Sequence, residues 1–71
     1  MNTYLIPVVR EADDPYIIKI VAKGYKEAQE KLMKKFYDDE DFDLFTDWNE
    51  FLDFAYENGW GIGEISDKDD F

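Results

Sequence analysis

Apolar and polar residues alternate twice near the start of the chain, and then the repeat lengthens to that of a helix. Residues 3–10 are rich in β-branched and aromatic side chains, with Tyr4, Ile6 and Val8 on one face and Leu5, Pro7 and Val9 on the other. This period of two predicts a strand. Pro7 has no N–H to give to a ladder, so the strand is expected at a sheet edge. Residues 11–15 are a polar turn ending in Pro15. Residues 16–23 form a second strand, with Tyr16, Ile18, Ile20 and Ala22 on its apolar face and Lys19 and Lys23 opposite. The two strands are expected to form an antiparallel hairpin.

Gly24 breaks the alternation, and Ala28, Leu32 and Phe36 then recur every four residues beside Tyr25 and Met33. This predicts a helix over 25–37, with Lys34 and Lys35 near its C-terminus, where the helix dipole favours cations. An acidic connection holding Phe42, Leu44 and Phe45 leads to a second helix over 47–58. Asp47 and Glu50 have the spacing of a capping box, and Trp48, Phe51, Leu52 and Ala55 make the core face. Gly59 suits a left-handed helix end. Residues 60–66 read as a third strand and 67–71 as a polar tail, with Phe71 its one apolar residue. The expected fold is a single α+β domain of order ββααβ: a three-stranded antiparallel sheet, order 1-2-3, with strand three beside strand two and both helices on one face.

Size makes packing the central problem, because a chain of 71 residues buries only about 60% of the surface its unfolded form exposes. Thirteen residues are Phe, Tyr or Trp, and each large ring can bury roughly 150–250 Å². There is no cysteine, hence no disulfide framework and no thiolate site. No apolar run approaches the ~20 residues of a membrane span, and the first residues do not read as a signal peptide. A cytoplasmic location is expected.

Charge divides the chain more sharply than its net value of −10 conveys. Residues 1–37 hold five acids and seven bases, a net of +2, whereas residues 38–71 hold thirteen acids and one base, a net of −12. Such asymmetry signals a partner. It argues against direct binding of nucleic acid, since phosphate contacts need Lys and Arg, and against an anionic membrane surface.

Catalytic groups are scarce. There is no histidine and one serine, Ser66, so neither the usual proton carrier nor a nucleophile with a base beside it is present. Gly59, Gly61 and Gly63 follow a helix instead of preceding one and lack the Lys-Ser/Thr of a phosphate loop. The expectation is a protein that is not an enzyme and needs no cofactor.

Asp39, Asp41, Asp43 and Glu50 occupy positions 1, 3, 5 and 12 of a twelve-residue window, with Asp47 at position 9. This spacing resembles the calcium loop of an EF-hand. Leu44 stands where that loop needs glycine, and Thr46 where it has an apolar residue. The resemblance implies a calcium-binding domain as an alternative function.

The acids also form a face. If the second helix extends back far enough, Asp43, Asp47, Glu50, Asp53 and Glu57 fall within about a third of a turn, away from the core face. Carboxylates so placed stand ~5–6 Å apart, close to the roughly 6–7 Å between successive phosphates of a nucleic-acid strand. Phe54 falls beside them, where an interface anchor would sit. Even if all seven N-terminal bases paired with C-terminal acids, six of the thirteen would stay free. The stretch mixing Phe42, Asp43, Phe45, Asp47, Trp48, Glu50, Phe51, Asp53 and Phe54, with the size and acidity of the chain, resembles the small acidic inhibitors of phages and mobile elements: anti-CRISPR, anti-restriction and nuclease-immunity proteins. The resemblance implies a partner-binding protein occupying the basic groove of a nucleic-acid-handling enzyme. Two other readings remain open: a face that is merely solvated, and an accessory or assembly domain binding another subunit through the sheet's free face or edge, where Val9, Ile17 and Val21 lie.

Overall fold

In the computed structural model, residues 1–67 are described. The order is β1 (Asn2–Arg10), β2 (Tyr16–Ala22), α1 (Tyr25–Asp39), α2 (Trp48–Glu57), β3 (Trp60–Ile62) and β4 (Ser66–Asp67). The α+β class is therefore as expected, with an antiparallel sheet of four strands and two helices. The expected strand order is corrected. β1 lies in the middle, with β2 on one side and β3 and β4 on the other, so the last part of the chain pairs with β1 and not with β2.

Pro7, taken as the mark of an edge, thus sits in a central strand. On the β2 side Pro7 stands opposite Ile17. Its carbonyl accepts from Gly63 N–H at 2.8 Å, so its ladder groups face the other side, toward β3 and β4. There the ladder is broken. Val8 pairs with Ile62 and Leu5 with Ser66, so Ile6 and Pro7 on β1 face three residues, 63–65. The extra residue makes a β-bulge, located where Pro7 cannot donate. This is why the predicted strand over 60–66 appears as two short pieces. Asp67, assigned to the tail, belongs to β4, and its carboxylate accepts from the Asn2 side-chain amide at 3.1 Å. The rest of the predicted tail, Phe71 included, lies outside the described residues.

The helices cover one face of the sheet. Tyr4, Ile6 and Val8 of β1 and Ile18, Ile20 and Ala22 of β2 are buried beneath Ala28, Leu32, Met33 and Phe36 of α1 and Phe51 and Ala55 of α2. Tyr25 is exposed, but its ring meets that of Tyr4 at a tilt of 56° with centroids 4.9 Å apart. Phe36 is the hub, with ring centroids 5.0 Å from Phe42, 5.4 Å from Phe51 and 5.0 Å from Trp60. The opposite sheet face is open: Ile17 is 59% exposed, Val21 51% and Val9 41%.

α1 runs to Asp39, one half-turn past its predicted end. Its last turn therefore holds no base, and Asp38 and Asp39 oppose the helix dipole there. Asp41 then takes a left-handed φ of 56° and turns the chain back, so that Phe42 N–H reaches the Phe36 carbonyl at 3.3 Å. That reversal delivers Phe42 to the core.

Candidate functional site

The acidic surface is built on α2. Asp47 caps the helix, its carboxylate accepting from Asn49 N–H at 2.8 Å and Glu50 N–H at 3.4 Å, which is the Asp47 half of the expected capping box. Hydrophobic residues at Phe51 and Ala55 fix which side faces the core. Trp48 and Leu52 complete that side, partly buried. Glu50, Asp53 and Glu57, spaced three and four residues apart, share the opposite side, and all are exposed. Glu50 lies in the first turn, where the positive end of the helix dipole favours it.

Two predicted members stand elsewhere. α2 does not extend back to Asp43, which lies exposed in the irregular segment before the helix. Phe54 is not a free anchor. It is half-buried, with Phe42 at 4.9 Å and Phe45 at 5.2 Å, because the connection from α1 folds back over its flank of α2. The exposed aromatic residue of α2 is Tyr56, 80% exposed, on the flank of the stripe away from Phe54. Its signal in the sequence was helical position alone: two residues after Phe54 and off the core face.

Among the described residues, no counter-charge pairs with this surface. The ion pairs among the described residues all lie within α1: Lys31–Glu27 at 3.4 Å, Lys34–Asp38 at 3.3 Å and Lys35–Asp39 at 3.0 Å. The hydrogen bond to Asp39, and then its charge, hold the Lys35 ammonium above its ordinary value. Asp38 and Asp39 are thus partly neutralised at the helix end, while Asp43, Glu50, Asp53 and Glu57 pair with no described lysine or arginine. α1 packs on β2 and α2 on β3, so the lysines occupy one flank of the molecule and the acidic stripe the other.

The four acids of the calcium-like window are not brought together in this structure. Among the described residues no three carboxylates come together as a metal cage. Asp39 ends α1 in an ion pair, the chain reverses at Asp41, and Glu50 faces outward from α2. No charged side chain is buried among the described residues. A shallow, open cleft is lined by Lys23, Lys26, Glu27, Glu30, Lys31 and Lys34, remote from the acidic stripe. No helix among the described residues is long and apolar enough to cross a membrane.

Fold and surface together define a small α+β domain with an acidic helix on one flank. Compared with known protein families, with characterised proteins and with solved structures, the chain matches none.

Proposed function

We propose that this protein is a non-enzymatic binding module whose α2 face occupies a basic groove of a nucleic-acid-handling protein, as an inhibitor or nucleic-acid mimic. The observation that carries the reading is the stripe of Glu50, Asp53 and Glu57, exposed and paired with no lysine or arginine among the described residues. Like charges at this spacing repel and destabilise a helix, and a cationic partner removes that cost on binding. Asp47 and Asp43 extend the negative surface beyond the helix start, and Tyr56 replaces Phe54 as the aromatic residue available for contact.

Affinity capture from a bacterial lysate at low salt supplies the partner, and titration calorimetry then tests the mechanism. Affinity should fall steeply with ionic strength as the charges are screened. The triple variant Glu50→Gln, Asp53→Asn, Glu57→Gln should weaken binding at least tenfold at low salt. Affinity that is flat with salt and indifferent to the triple variant would remove the reading.

A further inference from the structure

We propose that the free edge of β2 is a second binding surface, which accepts an extended acidic segment of another protein as an added strand. The inference rests on the flank opposite the acidic stripe and does not depend on what that stripe binds. β2 ends the sheet and pairs with β1 alone among the described residues. Because the ladder groups of Pro7 face β3, the pair Pro7–Ile17 is not hydrogen-bonded, and Ile17 turns its N–H and C=O outward. Lys19 and Val21, two and four residues on, do the same. An independent contact agrees: Lys31 Nζ donates to the Val21 carbonyl at 2.6 Å, so this edge holds an orphan acceptor that a side chain now satisfies. Among the described residues nothing caps Ile17 or Lys19 in this way, and both are exposed.

The opposite edge is a poor template. β3 and β4 are three and two residues long and are separated by the bulge, a usual way of blunting an edge. β2 offers seven residues without proline.

Side chains select the occupant. On the open face the edge reads Ile17, Lys19, Val21 in alternation, and Lys23 follows one residue past the strand end, its N–H donating to Glu27. An antiparallel strand laid against it would place apolar residues opposite Ile17 and Val21 and acids opposite Lys19 and Lys23, since directly opposed side chains set pairing preference. In the neighbouring cleft Lys23, Lys26, Lys31 and Lys34 outnumber Glu27 and Glu30, which leaves a small positive excess on the same flank. A second copy fits worse. The register that sets Ile17 against the copy's Val21 also opposes Lys19 to the copy's Lys19, and like charges directly opposed are destabilising. Pairing of this kind is a known recognition mode in which backbone hydrogen bonds give affinity and alternate side chains give specificity.

The test uses the full chain and a short capped peptide in which Glu, Val, Glu and Val alternate with Thr. In amide NMR spectra the peptide should shift the Ile17, Lys19 and Val21 resonances and slow exchange of their N–H groups. Lys19→Pro removes an outward N–H without touching the β1 ladder, and should abolish binding while the remaining spectrum stays folded. Should that variant unfold, Lys19→Glu with Lys23→Glu serves instead, with at least tenfold weaker binding expected. Three results would each overturn the proposal: equal binding of a peptide with the same residues scrambled, shifts confined to the α1 lysines, or no binding at millimolar peptide. Concentration-dependent shifts of the same amides without peptide would also overturn it, by assigning the edge to a second copy.

Discussion

At the scale of single residues, backbone exceptions fix the shape of this domain. Gly63 is needed where the bulge meets Pro7: a Cβ there would lie 2.5 Å from Pro7 Cγ, and a proline ring, bonded at both ends to its own backbone, can give way only by changing its pucker. Gly63→Ala should therefore cost about 1–3 kcal/mol, the usual range for forced overpacking, read from urea unfolding. Asp41 presents the converse case. It holds a left-handed φ of 56° that costs a non-glycine residue ~1–2 kcal/mol, and it places a negative charge just beyond the C-terminus of α1. Asp41→Gly should raise stability by roughly 1 kcal/mol in the same measurement, after the larger unfolded-state entropy of glycine is set against the relieved strain. Only the first of these was partly visible in the sequence. Pro7 was recognised as a ladder defect, but its consequence was misassigned, because a missing donor can be tolerated inside a sheet if the neighbouring strand bulges away.

At the scale of elements, the two helices were legible because their apolar residues repeat at helical spacing. The connection between them was not. The sequence shows Phe42, Leu44 and Phe45 in an acidic stretch and does not say which of them faces inward. The reversal at Asp41 decides it: Phe42 is buried, packed edge-on to Phe36, while Leu44 remains exposed. Phe42→Ala should accordingly cost ~3–5 kcal/mol, as for a core aromatic, whereas Leu44→Ala should change stability by less than about 0.5 kcal/mol. Thermal melts of the two variants would check this. Equal small effects would mean that Phe42 is not part of the core. The same folding-back explains Phe54. Its helical position beside the acids was read correctly, but burial by a non-helical segment cannot be inferred from a wheel.

At the scale of the whole molecule, charge is distributed by packing as much as by order along the chain. With α1 over β2 and α2 over β3, a linear split of charge becomes a lateral one, and the lysines of α1 serve their own helix in place of the acids of α2. Self-repulsion within a chain of net charge −10 should destabilise the native state at low ionic strength. Raising sodium chloride from ~10 mM to ~0.5 M screens those contacts and should raise the melting temperature by about 4–8 °C, the shift that roughly 1 kcal/mol produces in a domain of this size. A melting temperature that is flat or falls over that range would mean that the acids are compensated within the molecule.

The sequence by itself determined the α+β class, the two helices with the Asp47 cap, the first two strands and the acidity of the second half. These follow from periodicity, local hydrogen bonding and composition, which act over a few residues. Only the tertiary structure decided that the proline-bearing strand is central, that Phe42 and Phe54 turn inward, and that Asp43 stands apart from the α2 stripe. It also decided that Asp39, Asp41, Asp43 and Glu50 do not converge. Those outcomes depend on which surfaces meet across long stretches of chain, and a local pattern is compatible with several such meetings until close packing selects one.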